Sequence, residues 1–324
     1  MAGKIVAFCT GGLCNAISGL FVGSWLSKEL GVPLCIYWIE GYIALDIGLL
    51  DIFDIIDDGI CMLKEEEFKE VCARGGCDML RFAPELPEFG LCPVYRCRPQ
   101  RFDIKAVGSL ASLKEMCTGR DVFLNTCELP AYLMVPEVVE ATFERFRFKA
   151  EHVERVKRFV TDAGVGKVGV HVRGTDILSI SGRNMDDIRR FVAGVKGRFD
   201  GAIFLCSDDE AVEREYVDDD RLRFYPGKVY VCKRDEGLGW YHDAGTKHIG
   251  VTETVEFGGK EYKNYSSTNV VRTKEHCIGG WIDLMTLARM DNIVGFVTSG
   301  GSTYFRMALL WNSCAVFRNI FQQA

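Results

Sequence analysis

The second half of the chain alternates short apolar runs with helical patterns, and this rhythm limits its fold more than any other feature. Val168 to Val172 reads as a buried strand. Asp186 to Phe199 follows as a helix whose apolar face is Ile188, Phe191, Val192, Val195 and Phe199, with Asp186 and Asp187 at its positive end. Ala202 to Cys206 is the next strand, and Asn292 to Val297 the last, followed by an apolar helix from Tyr304 to Leu310. Strands separated by helices of this length predict βαβ units and a parallel sheet, hence an α/β fold. Each run ends in polar residues: His171, Arg173, Thr175 and Asp176; Ser207, Asp208 and Asp209; and Thr298 to Thr303. Open α/β sheets place their ligands at the carboxyl ends of their strands.

Within Lys167 to Asp176, period-two alternation sends His171, Arg173 and Thr175 to one face and Val170 and Val172 to the other. An imidazole, a guanidinium and a hydroxyl then share one strand end. Two readings fit: an anion site, or a strand end with a solvated Arg and a capping Thr or Asp. The Ser207-Asp208-Asp209 step likewise suits a ligand or a helix cap. Ser299, Ser302 and Thr303 lie with Gly300 and Gly301 at a strand-to-helix junction, where backbone N–H groups can cradle phosphate.

The first half opens with a strand at Ile5 to Phe8, then Cys9-Thr10-Gly11-Gly12-Leu13-Cys14-Asn15, then a helix carrying Ile17, Leu20, Phe21, Trp25 and Leu26. Gly11 and Gly12 allow backbone to approach an anion and equally suit a tight turn; they lack the G-x-G-x-x-G dinucleotide spacing. Pro33 to Trp38 and Val122 to Asn125 read as strands, and Pro136 to Arg147 and His152 to Thr161 as charged helices joining two domains. At 324 residues about two domains are expected, with a boundary near 150 to 165. Further on, Leu222 to Tyr225 and Lys228 to Cys232 read as strands, Asp235 to Lys263 as a long loop or small excursion, and Thr273 to Met290 as a helix. In that helix Asp283 is flanked by hydrophobic residues, so a partner or a ligand is expected for it. His242, His248 and His276 have no metal-ligand spacing and read as solvated or substrate-facing.

The formal net charge is -6, and no Lys/Arg stripe carries interleaved aromatics, so nucleic acid is not an expected partner. Against that background an anionic ligand needs local cations, which directs attention to Arg173. Acidic residues interrupt the most apolar stretch, Leu34 to Leu63, and no secretory signal is evident; the reading is a soluble, cytoplasmic protein without a transmembrane segment. Of fourteen cysteines, three pairs share a C-x4-C spacing: Cys9/Cys14, Cys72/Cys77 and Cys92/Cys97. The Arg, Gly and Pro around the latter two pairs do not match a standard zinc ribbon, so no metal is expected. Cys35, Cys206 and Cys314 sit in apolar runs and read as small core residues.

The ordered set Gly11-Gly12-Leu13-Cys14-Asn15, then His171-Val172-Arg173-Gly174-Thr175-Asp176, then Asp283 with Ser299 to Thr303 resembles the GDP-fucose-dependent fucosyltransferases. These include the nodulation-factor and core α1,6-, the bacterial α1,2- and the protein O-fucosyltransferases. The resemblance implies a GT-B architecture of two Rossmann-like domains facing across a cleft: residues 1–155 on the acceptor side, and 156–324 binding the GDP-sugar. It implies that Arg173 contacts the diphosphate and steadies the GDP leaving group. His171 and Asp283 would hold the guanine edge, and Ser299, Ser302 and Thr303 the phosphates. Thr175 and Asp208 belong to the same donor site, and Gly11, Gly12 and Asn15 to a loop reaching the donor sugar. The relatives invert the anomeric centre without a metal, so a carboxylate should take the acceptor proton; Asp176 is the first candidate, then Asp186 and Asp187. Two departures stand out: Gly174 occupies a position that often carries a second Arg, and Cys14-Asn15-Ala16 replaces the Gly-Asn-Gln of many α1,2 enzymes. Beside fucosyl transfer to a glycan, the alternatives are a GT-B transferase using another nucleotide sugar, a nucleotide- or carbohydrate-binding protein without turnover, or a zinc- or redox-controlled cysteine protein.

Overall fold

The computed structural model describes residues 3–9, 12–38, 47–73, 78–82, 101–103, 107–119, 121–126, 129–174, 184–230, 232–233, 251–257, 260–265, 270–271, 273–296 and 302–322. The strands are β1 (Ile5–Cys9), β2 (Leu34–Trp38), β3 (Phe53–Ile55), β4 (Ile60–Met62), β5 (Asp78–Phe82), β6 (Arg101–Asp103), β7 (Val122–Thr126), β8 (Phe146–Phe148), β9 (Val168–Val172), β10 (Ile203–Ser207), β11 (Leu222–Arg223), β12 (Cys232–Lys233), β13 (Val251–Phe257), β14 (Lys260–Tyr265), β15 (Val270–Val271) and β16 (Asn292–Phe296). The helices are α1 (Leu13–Leu30), α2 (Leu49–Ile52), α3 (Glu65–Ala73), α4 (Leu110–Cys117), α5 (Pro136–Phe143), α6 (Ala150–Ala163), α7 (Met185–Arg198), α8 (Glu210–Arg214), α9 (Lys274–Ala288), α10 (Thr303–Ser313) and α11 (Ala315–Gln322). The chain divides into two compact units, Met1–Arg147 with His248–Thr268, and Phe148–Lys247 with Asn269–Ala324.

The first unit holds a six-stranded sheet in the order β4-β2-β1-β7-β5-β6. Its paired strands are parallel. All five side chains of β1 are buried, as a central parallel strand covered on both faces requires. Helix α1 lies so close to the sheet that a Cβ on Gly23 would stand 3.0 Å from Ala7 Cβ and 3.1 Å from Leu34 Cδ1. The helix stops at Gly31, whose φ of 62° lets its N–H reach back to the carbonyls of Lys28 and Ser27. The expected helix from Pro136 to Arg147 is shorter than its charge pattern suggested: α5 ends at Phe143. Phe146 and Phe148 are buried with Arg147 exposed between them, and this period of two makes β8.

The second unit carries a four-stranded sheet, β11-β10-β9-β16, also parallel. Val168, Val170 and Val172 pack in one cluster with Ile188, Val192 and Val195 of α7. The opposite face of β9 meets α9, where a Cβ on Gly169 would stand 2.7 Å from both Leu287 Cδ1 and Met290 Cγ. The sheet is therefore sandwiched between helices, the three-layer α/β arrangement expected from the sequence. Phe148, Trp281, Trp311 and Phe317 pack ring against ring beneath α9 and α10.

One expectation fails here. Lys228 to Cys232 is not one strand: residues 228–230 are irregular, and of its described residues Cys232 alone pairs, with Lys233, antiparallel to β15. Within Asp235 to Lys263, read as a long loop or small excursion, β13 forms an antiparallel pair with β14. Val251, Val255 and Phe257 among Thr and Glu carry the alternation, and Gly258-Gly259 separates the two runs in sequence. No helix among the described residues is long and apolar enough to cross a membrane.

Candidate functional site

The carboxyl ends of β9 and β10 bring His171, Arg173, Ser207 and Asp208 together, because β9 and β10 run in register with His171 opposite Cys206 and Val172 opposite Ser207. The Asp208 carboxylate accepts from the Gly174 N–H at 2.7 Å and so pins the backbone just past Arg173. Asp209 is the cap anticipated for this step, accepting from Ala211 N–H at 3.0 Å. Gly174 lies against it: a Cβ there would stand 2.5 Å from Asp209 Cβ. In this chain, then, a second arginine after Arg173 is sterically excluded.

His171 is buried, on the face of β9 opposite the valines, and its ring stacks on Tyr304 of α10 with centroids 4.9 Å apart. Burial, with smaller contributions from Arg173 and Lys228 against Asp208, pushes its pKa down to about 4, so the imidazole is neutral near pH 7. Its Nδ1 is buried without a hydrogen-bond partner among the described residues. Ser302, itself buried, caps α10 by accepting from Phe305 N–H at 3.4 Å, and Thr303 opens the helix. The remaining N–H groups of that first turn are the donors an anion uses.

Asp283 of α9 belongs to an ion cluster that the sequence did not reveal. Lys228 Nζ stands 2.7 Å from Asp283 Oδ2 and 2.5 Å from Glu213 Oε1, and donates to the Ser207 carbonyl at 2.5 Å. Tyr230 donates to the other Glu213 oxygen. All three charged side chains are 4 % exposed. Burial pushes the Asp283 pKa up to about 7 against the opposing pull of Lys228. Burial disfavours the Lys228 ammonium, but Asp283 and Glu213 more than restore it and its pKa is raised. Among the described residues, Asp283 Oδ1 remains buried and without a hydrogen-bond partner. Lys228 and Glu213 carried no local signal, being far apart in sequence; only the irregular 228–230 segment brings the lysine in.

In the first unit, Gly12 is the N-cap of α1 and makes no side-chain cap; the first turn of α1 has no acidic residue. Asn15 sits in that turn, its N–H bonded to the Gly12 carbonyl at 2.8 Å. Asp186 and Asp187 are used at the start of α7, pairing with Arg189 at 2.7 Å and Arg190 at 2.5 Å, and Asp187 also completes a capping box with Asn184. His276, read as solvated or substrate-facing, is buried, with Nδ1 2.8 Å from the Val229 carbonyl. Gly11, Thr175, Asp176, Ser299, His242 and His248 lie outside the described residues, as do Cys77, Cys92 and Cys97. Among the described residues no group of His, Cys, Asp and Glu is arranged to hold a metal ion.

No protein-family profile matches the sequence, and no curated protein is detectably similar to it. Solved structures are similar. That of NodZ alpha-1,6-fucosyltransferase soaked with GDP-fucose superposes with a TM-score of 0.53 at 15% identity, covering 96% of this chain and 92% of that one. Fucosyltransferase NodZ from Bradyrhizobium gives 0.53 at 14% identity, covering 95% and 93%. The fold is GT-B. At such identities the likeness is one of fold, and nearly the whole of both chains takes part in it. Within this GT-B chain, the second unit carries the described part of the polar cluster built from β9, β10, α9 and α10.

Proposed function

We propose that this chain is a glycosyltransferase that moves fucose from GDP-fucose to a glycan hydroxyl, with inversion and without a metal ion. One observation carries the reading. At one end of the second sheet, Arg173 and Lys228 both act on His171, and among the described residues two buried polar atoms have no hydrogen-bond partner, His171 Nδ1 and Oδ1 of Asp283, the carboxylate that Lys228 holds; His171 also stacks on the helix that Ser302 caps. Unsatisfied buried polar atoms of this kind are costly unless a ligand completes them. The solved GT-B structure soaked with GDP-fucose supports a nucleotide sugar as that ligand.

In this reading residues 156–324 bind the donor and 1–155 serve the acceptor side. Arg173 donates to the diphosphate and offsets the charge that builds on GDP as the glycosidic bond breaks. Asp208 holds the backbone after it. The first turn of α10, with Ser299, Ser302, Thr303 and Thr175, receives the phosphates. His171 and Asp283 face the base, and Gly11, Gly12 and Asn15 the sugar. The acceptor hydroxyl attacks the anomeric carbon opposite GDP and yields its proton to Asp176.

Arg173→Ala should retain the fold and lower transfer by on the order of a hundredfold or more. Turnover is measured as GDP release from GDP-fucose with a panel of glycan acceptors, and full activity in the variant would reject the site. A second donor class is favoured by one feature: Lys228 already holds Asp283 Oδ2, leaving a single acceptor oxygen. A base with one N–H at its edge, such as uracil, would satisfy that oxygen. Preference for UDP-sugars over GDP-fucose in the same assay would select this reading, and GDP binding without transfer would indicate a binding protein.

A further inference from the structure

The first sheet carries a thiol pair that the donor site does not use. Cys35 on β2 and Cys61 on β4 are cross-strand partners in parallel register. Along β2, Leu34, Ile36 and Trp38 are buried while Cys35 and Tyr37 are partly exposed, so Cys35 is on the more open face and is not the core residue its apolar surroundings suggested. Cys61 is exposed, whereas Cys9, Cys14, Cys117, Cys206, Cys277 and Cys314 are buried. The Cys61 thiol acts electrostatically on Cys35, and Cys61 Sγ lies 3.8 Å from the carbonyl of Met62, the residue next to it on β4.

The spacing suits a bond. Neighbouring strands run about 4.8 Å apart, within the roughly 4.4–6.8 Å Cα range of disulfides. The Cβ atoms of opposed residues must draw in by about 1 Å to reach disulfide distance. Strand β4 is three residues long and, among the described residues, ends its sheet with β2 as its only neighbour, so it is free to give by that amount.

We propose that Cys35 and Cys61 form a reversible disulfide, making this edge of the first unit a thiol-exchange site for small disulfides such as oxidised glutathione. The exposed Cys61 thiolate attacks one glutathione sulfur, the glutathione S–S bond breaks, and one glutathione thiolate leaves. Cys35 then attacks Cys61 Sγ, expels the second glutathione, and gives up its proton to it. Two thiols are oxidised and one molecule of oxidised glutathione is reduced to two of reduced glutathione. Burial and the neighbouring Cys61 raise the Cys35 pKa and the nearby Lys4 lowers it, which suits Cys35 to the second step, where its target is already its cross-strand partner.

The test is independent of any sugar donor. Full-length protein is equilibrated at graded ratios of oxidised to reduced glutathione, quenched with acid, alkylated, digested and mapped by mass spectrometry. The expected product is a peptide pair joined through Cys35 and Cys61, two hydrogens lighter than the separate peptides, rising with oxidised glutathione and disappearing on its reduction. Cys35→Ser should instead trap one glutathione on Cys61, and Cys61→Ser should abolish both products. A wild-type Cys61 adduct that persists without cross-linking, oxidation confined to other cysteines, or no oxidation of the pair at any ratio would overturn the proposal.

Discussion

At the scale of single residues, the second unit places unlike charges where water is scarce, and their protonation becomes a stability question. His171 has a folded pKa of about 4, against about 6.5 for a free imidazole. Between those values the unfolded chain binds a proton that the folded chain refuses, so stability falls as pH drops from about 6.5 to about 4. His171→Gln should lose that share of the acid sensitivity, at most on the order of 3 kcal/mol, in urea titrations across the window. Asp283 acts in the opposite direction: with a folded pKa near 7 it holds a proton the unfolded chain has released, so its contribution declines as pH rises toward that value. Only the difference between variant and wild type isolates the imidazole. Lys228 is the counterpart. Its removal in Lys228→Met leaves Glu213 and Asp283 buried without their cation, which should cost about 3–5 kcal/mol in denaturant unfolding. Lys228→Met combined with Asp283→Asn should recover part of that loss, because one uncompensated carboxylate is gone. A single variant as stable as wild type would mean that the cluster is not buried as described.

Among elements, the contact between β9 and α9 sets the site, since one carries His171 and leads into Arg173 and the other carries Asp283. Gly169 makes that contact possible. Leu287 and Met290 are fully buried, so the 2.7 Å approach of a new Cβ has nowhere to go. Gly169→Ala should therefore cost about 1–3 kcal/mol by overpacking, read as a lower urea midpoint, and should weaken nucleotide binding further by lifting α9. Elements of this kind were legible in the sequence: β9, α7, β10, α9 and β16 declare themselves through period and length, the polar ends of the strands name His171, Arg173, Asp208 and Ser302, and an acid among apolar neighbours inside α9 names Asp283. The rest depended on contacts between distant segments. Lys228 looks like one more strand residue until the irregular 228–230 segment delivers it to Glu213 and Asp283. Cys35 reads as core until register sets it beside Cys61. Phe146 to Phe148 is too short for its alternation to outweigh the charged helical pattern on either side. The β13–β14 pair was hidden by the Gly, His, Tyr and Trp that surround it.

For the whole molecule, two parallel-sheet units and a GT-B fold define a class of architecture, while the ligand that the site takes decides the chemistry. A ligand that binds only the folded chain raises its apparent stability by mass action, by about 2.7 kcal/mol at a hundred times its dissociation constant. In the proposed reading, GDP presents both a diphosphate for Arg173 and the α10 N-terminus and a base edge for His171 and Asp283. Inorganic pyrophosphate offers only the first, and guanosine only the second. GDP should therefore raise the melting temperature by several degrees at saturating concentration, pyrophosphate less, and guanosine least. The order should hold without added divalent metal and in the presence of EDTA. Arg173→Ala should remove most of the response to pyrophosphate and leave that to guanosine. UDP separates the two donor readings, because it keeps the diphosphate contacts and changes only the base: a shift equal to that of GDP would place recognition in the phosphates alone, and a larger one would assign the single free oxygen of Asp283 to uracil.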